Sequence, residues 1–234
     1  MPLIDSHDTD RVASVIVNAS NERPYQEPDR SDYVVSGRVS PRLGDAYDVR
    51  KPNERERRIQ RIVALMQATF LGAPTFYDGT EAGMWGADDP CDRVPMVRAD
   101  KQYEDQRSDP LGRQPTADEV AFDHELHQFY RSVIALHRDS TALRRGGFRI
   151  VATDDAQRLL DIERSDGRQS CVVVLNRGES QAEVQLPLPS GDYEIIFSAA
   201  SEPDRSFAVR KGESLIVRLP GLDGVVLRQA PPPE

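Results

Sequence analysis

The sequence predicts a mixed α/β region over residues 1–145, followed by an all-β antiparallel sandwich over residues 146–230. Three observations carry that expectation. Two long stretches of the first region place apolar residues at helical spacing, and each follows a short apolar run, so the order reads strand, helix, strand, helix. After Arg145-Gly146-Gly147 the apolar period changes to that of strands. Turn dipeptides rich in Gly, Asp and Ser then break the remaining chain into short, similar runs.

The first element is a scrap of strand, Leu3-Ile4, which runs into Ser6-His7-Asp8. Residues 12–18 follow as a short apolar helix. From Ser20 to Pro52 the chain is polar and contains Pro, which predicts a long loop of a kind often functional or inserted. Asn53 and Glu56 stand three apart as a capping box, and Ile59, Ile62, Val63, Met66 and Phe70 form the apolar stripe of a helix that Gly72 ends. Ala73 to Tyr77 predicts a second short strand. A polar loop continues to about Pro115, where Thr116 and Glu119 repeat the capping-box spacing ahead of Phe122, Leu126, Phe129, Val133, Ile134 and Leu136.

Eight strands are expected beyond residue 146, near 148–153, 158–164, 171–176, 181–186, 193–198, 206–210, 214–219 and 224–228. Ser165-Asp166-Gly167, Arg177-Gly178 and Ser190-Gly191-Asp192 offer the positive-φ residues that tight connections need. The Pro231-Pro232-Pro233 tail lacks ladder donors and is expected to be disordered.

Composition narrows the function classes. The 234 residues are 38% hydrophobic with a net charge of -9, and no basic run is present, which argues against a nucleic-acid partner. The longest apolar stretch, Ile62 to Pro74, is too short and too interrupted to span a membrane. Nothing at the N-terminus resembles a signal peptide, so a cytoplasmic location is expected over secretion. Cys91 and Cys171 are isolated, which gives neither a zinc motif nor a disulfide framework. Asp88 and Asp92 lack the alternating ligands of a calcium loop, so no metal or cofactor is expected.

An acid at the end of a short buried strand is the usual place for catalytic groups in an α/β barrel. Three motifs in order, SHDTDR at 6–11, LGAPTFYDGTEAGMWGADDP at 71–90 and CDRVPMV at 91–97, resemble the C-terminal part of an alpha-amylase superfamily glycoside hydrolase of the neopullulanase and cyclomaltodextrinase branch. The resemblance covers nearly the whole chain. It implies that residues 1–145 are about strands seven and eight of a (β/α)₈ barrel and that residues 146–230 are the β-sandwich after it.

The family chemistry is retaining cleavage of α-glucosidic bonds, with one carboxylate as nucleophile and a second as acid and base. The resemblance gives Asp8 the third, catalytic role of steadying the oxocarbenium-like transition state, and makes His7 a hydrogen-bond partner of the sugar being cleaved. It places Asp89 and Arg93 against sugars on the non-reducing side, since a guanidinium fork and a carboxylate suit adjacent hydroxyls. The same pair also reads as an ion pair in a surface loop. Asp78 stands where relatives usually have an aromatic residue and Arg98 where they have Trp. Trp85, Tyr25, Tyr33 and Tyr47 are the candidate platforms for a sugar ring, and His124, His127 and His137 read as helix-face or packing residues.

The nucleophile and acid/base motifs of relatives do not occur in this sequence. The expected function is therefore that of a C-terminal fragment of an alpha-glucan-acting hydrolase, inactive alone, whose partners would be a maltooligosaccharide or cyclodextrin and a missing N-terminal barrel half. A noncatalytic carbohydrate-binding module and a subunit completing a split barrel are the alternatives.

Overall fold

The computed structural model describes residues 2–19, 47–87, 89–108, 112, 117–200, 206–210 and 213–230. Contacts group the chain into two units, one of Leu3–Gln60 and Thr75–Gln128, the other of Met1–Pro2, Arg61–Pro74 and Phe129–Glu234. The elements are α1 Val12–Asn18, α2 Glu54–Thr69, α3 His124–Asp139, α4 Thr141–Arg145, β1 Gly147–Asp154, β2 Leu159–Ser165, β3 Ser170–Asn176, β4 Ala182–Leu186, β5 Gly191–Ser198, β6 Ser206–Val209, β7 Leu215–Leu219 and β8 Asp223–Gln229. No helix among the described residues is long and apolar enough to cross a membrane.

The larger unit holds an antiparallel six-stranded sheet, ordered β1-β2-β3-β8-β5-β6, and a two-stranded sheet, β4-β7. Their facing sides meet in one apolar core. Val172, Val174, Tyr193, Val225 and Leu227 come from the first sheet, and Ala182, Val184, Leu186, Leu215, Val217 and Leu219 from the second. In β4 and β7 alternate residues are buried, as a strand with one wet face requires. β3 is buried on both faces because the C-terminal parts of α2 and α3 cover the other side of the large sheet. There Phe129 meets Phe197 at 5.7 Å and Phe70 meets Phe148 at 4.9 Å, both edge to face. His137 Nδ1 lies 2.7 Å from the Ala68 carbonyl, consistent with a packing role.

All eight expected strands are present, with ends shifted by two residues at most. Gly167 takes φ 83 as its turn requires, and Asp166 accepts the backbone N–H of Gln169 and Arg168 at 2.7 and 2.9 Å, bonds that hold its carboxyl down at about 2. The corner at Gly178 differs. Its positive-φ residues are Arg158 at 59° and Leu222 at 53°, while Gly178 is required because a Cβ there would sit 2.6 Å from the Gln157 carbonyl.

One side chain joins sheet and helix in this unit. Arg164, on β2 and 1% exposed, donates to the carbonyls of Thr69 at 2.7 Å and Phe70 at 2.6 Å, at the end of α2. It also donates to Gly146 at 2.9 Å and Gly147 at 3.0 Å, where α4 passes into β1. Helix ends leave their last carbonyls without partners, and a buried cation supplies the donors. α4 itself is absent from the sequence expectation; Ser140 caps it by accepting the Leu143 N–H at 3.3 Å.

In the smaller unit the capping box of α2 forms as expected. Asn53 Oδ1 accepts the Glu56 N–H at 3.0 Å and Glu56 Oε2 accepts the Asn53 N–H at 2.8 Å. The two expected strands are reduced to a single parallel bridge, Leu3 to Thr75, because a lone parallel pair has no neighbours to extend its ladder. α3 begins at His124, later than the Thr116–Glu119 spacing suggests; Asp123 caps it by accepting the Leu126 N–H at 2.9 Å, and Thr116 lies outside the described residues. Phe122 is not in the helix and packs on the rings of His124 and His127 at 4.9 and 5.1 Å. Met66 and Ile134, expected in the apolar stripes, are 38% and 45% exposed. Most of the 20–52 loop and the Pro231–Pro233 tail lie outside the described residues.

Two outcomes follow from the larger unit. Arg164→Met leaves four carbonyls, two buried and two part-buried, without their donor and should cost about 3 kcal/mol, lowering Tm by about 6–12 °C in calorimetry. Asp161, 2% exposed on β2, has an Oδ1 with no hydrogen-bond partner among the described residues, and burial pushes its pKa up from 3.8 to about 6. A raised carboxylate binds protons more tightly when folded, so its stabilising contribution is complete below pH 3.8 and is lost as pH rises through 6. Asp161→Asn should flatten that slope and raise stability at pH 8 by about 1 kcal/mol or more, checked by urea unfolding from pH 4 to 8.

Candidate functional site

His7 and Asp8 sit in a turn set by short polar side chains. Ser6 N–H donates to Thr9 Oγ1 at 3.0 Å, and Asp8 N–H donates to Ser6 Oγ at 3.2 Å. Just before the turn, buried Asp5 accepts the Val12 N–H at 3.1 Å and the Thr80 hydroxyl at 2.7 Å, which caps α1 and ties it to the 79–83 turn. Just after it, Asp10 accepts the Tyr47 hydroxyl at 2.5 Å. The turn is thus held on both sides by buried carboxylates.

The four side chains expected at the site come together. Arg93 Nη2 lies 3.0 Å from Asp8 Oδ1, and Arg93 Nε lies 2.9 Å from Asp89 Oδ1 and donates to the His7 carbonyl at 2.9 Å. His7 Nε2 stands 3.2 Å from the other oxygen of Asp8. The side chains of His7, Asp8, Arg93 and Asp89 are 61%, 67%, 44% and 52% exposed, so the array faces solvent. A guanidinium between two carboxylates, with an imidazole beside them, presents donors and acceptors at the spacing of neighbouring hydroxyls.

Behind this array lies a set of buried groups that the spacing of motifs did not single out. Arg11, 2% exposed, lays its guanidinium over the Tyr77 ring at 4.3 Å. Its Nε donates to the Asp92 carbonyl at 3.0 Å and its Nη1 to the Asp78 carbonyl at 2.7 Å. Burial lowers the Arg11 pKa, partly opposed by Tyr77, Asp5, Asp92 and Asp78. Asp92 is fully buried, neither carboxylate oxygen has a hydrogen-bond partner among the described residues, and burial raises its pKa. The only trace of these groups in the sequence is that Arg11 and Asp92 fall inside the SHDTDR and CDRVPMV motifs.

Of the four expected ring platforms, the two in described residues are buried. Trp85 is 8% exposed with Lys51 5.9 Å from its ring centre, and Tyr47 is 4% exposed with its hydroxyl on Asp10, so both are packing residues. Tyr25, Tyr33 and Asp88 lie outside the described residues. Arg98 pairs with Asp100 at 2.9 Å on the surface, and Asp78 contributes its backbone carbonyl to Arg11. Among the described residues no three His, Cys, Asp or Glu side chains are placed to hold a metal ion.

Residues 150–230 match the family described as alpha amylase, C-terminal all-beta domain. Over 161 residues the chain is 29% identical to a cyclomaltodextrinase of Geobacillus thermopakistaniensis (strain MAS1), covering 68% of this chain and 23% of that protein. Residues 150–230 are thus the C-terminal all-beta domain of the alpha-amylase family, and the chain resembles the C-terminal portion of such proteins. Neopullulanase 2 of Thermoactinomyces vulgaris is 33% identical over 133 residues, covering 56% of this chain and 20% of its own length. The chain therefore spans about a fifth of the curated relatives it matches. An alpha-amylase from Geobacillus thermoleovorans, solved with acarbose, shares the fold with a TM-score of 0.62 at 18% identity, covering 98% of this chain and 38% of that one. The family match takes in all eight strands except residues 147–149 of β1, so the antiparallel β-domain is the family's C-terminal domain.

Proposed function

We propose that this chain is the C-terminal part of a retaining alpha-glucan hydrolase and contributes one wall of its sugar site. Residues 1–145 supply the last strands and helices of a (β/α)₈ barrel, and residues 146–230 supply the β-domain. The observation that carries the reading is the position of Arg93, which joins Asp8, Asp89 and the His7 carbonyl in one exposed array. In it Asp8 is an acceptor placed between a guanidinium and an imidazole, suited to stabilising positive charge that develops on a sugar ring. His7 serves a hydroxyl of the same sugar, and Asp89 with Arg93 serves the neighbouring one. Maltooligosaccharides and cyclodextrins are the substrate class, the names of the relatives being cyclomaltodextrinase and neopullulanase.

The nucleophile and the acid/base are supplied by polypeptide outside this sequence, in the same gene product or as a separate chain. Leu3, Ile4 and Val15, 49%, 40% and 44% exposed around the lone Leu3–Thr75 bridge, favour a unit built to receive further strands and helices. The noncatalytic binding module remains the second reading and differs only in what joins the site.

Isothermal titration with maltotriose and β-cyclodextrin, beside a reducing-sugar assay on the same sample, tests the proposal. Binding without turnover is the expected result. Arg93→Met should weaken that binding between about tenfold and a hundredfold, the worth of charge-assisted hydrogen bonds. Turnover abolished by Asp8→Asn would show that the chain carries its own nucleophile and acid, and would sink the proposed division of labour.

A further inference from the structure

The array of His7, Asp8, Asp89 and Arg93 is exposed, and exposed ion pairs hold geometry weakly because water and side-chain entropy compete with them. Its alignment must therefore come from the backbone beneath. Three backbone points of the 77–93 segment, the carbonyls of Asp78, Gly86 and Asp92, converge on a single residue. That residue is Arg11, three positions after Asp8. Its side chain takes Asp92 and Asp78, and its backbone N–H donates to Gly86 at 3.0 Å.

We propose that Arg11 is the positioning residue of the sugar-facing array, fixing the residue before Arg93 so that Arg93 meets Asp8 and Asp89 together. The backbone of Arg11 at the same time accepts the N–H groups of Ser14 at 2.8 Å and Val15 at 3.1 Å, which starts α1 and anchors the His7-Asp8 turn to the same point. One residue thereby sets the distance between both sides of the array. The planar fork matters: two donors leave the guanidinium in fixed directions, and the flat face rests on Tyr77. The Arg11 charge also lies near the buried, unpartnered Asp92 carboxylate, so its loss removes a carbonyl donor and a compensating cation together.

The role rests on the sugar-site reading for its ligand but not for its geometry, and the test separates the two. The full chain is compared as wild type, Arg11→Met and Arg11→Lys, with Arg164→Met as a control for lost stability in the other unit. The ¹⁵Nε–H signal of Arg93, held by His7 and Asp89, reports the array directly; maltotriose titration reports its use. Arg11→Met should shift or abolish that signal and weaken binding between about tenfold and a hundredfold, the scale of a misplaced binding group. Arg11→Lys, which keeps the charge and one donor, should recover part of both, and Arg164→Met should change neither. If Arg11→Met does not fold, a partial shift of the Arg93 signal in Arg11→Lys is the decisive result. An Arg93 signal unchanged in the folded Arg11 variants overturns the proposal. A shifted signal in a protein that never binds maltotriose upholds the positioning role and removes the sugar reading instead.

Discussion

A buried guanidinium that donates to backbone carbonyls is the interaction on which both units depend. Burying a charge is costly unless its donors are satisfied, and an ion pair does this at the expense of desolvating a second charge. Carbonyl dipoles satisfy it without that second cost and also acquire partners of their own. Arg164 uses four such carbonyls to close the end of α2 onto β2 and the start of β1. Arg11 uses two, with its guanidinium laid over the Tyr77 ring and only 2% of the residue exposed. Lysine, with a point charge on a flexible stem, would not span either set of acceptors.

The division between what the sequence reveals and what it hides follows from the range of each interaction. Strand period, turn residues and the Asn53–Glu56 box are local, and they placed eight strands and the start of α2 to within two residues. The start of α3 was misplaced because Thr116 and Glu119 have the right spacing for a cap, while Asp123, one residue before the helix, makes the bond. Met66 and Ile134 fit a helical stripe but point to solvent, since burial depends on what packs against a helix and not on its own period. The positive-φ sites at Arg158 and Leu222 carry no sequence signal, because neither residue favours that conformation.

The site shows the same pattern. His7, Asp8, Asp89 and Arg93 were readable because they lie in motifs, and the structure brings all four within contact across more than eighty residues of chain. Their support was not readable. Asp5, Asp10, Arg11 and Asp92 are charged residues in polar stretches, and nothing in composition distinguishes a solvated charge from one that is 2% exposed or less. Trp85 and Tyr47 are not platforms for the converse reason: an aromatic side chain near a motif is more often core than contact.

The family match of residues 150–230 places the β-domain, and the work of residues 1–145 is decided at the exposed array. Mapping side-chain and backbone NMR shifts of the full chain during a maltotriose titration would decide it most directly. The account predicts saturable shifts confined to residues 5–11 and 86–97, centred on Arg93. Shifts confined to the strands of the β-domain, with the Arg93 signal unmoved at saturation, would contradict it.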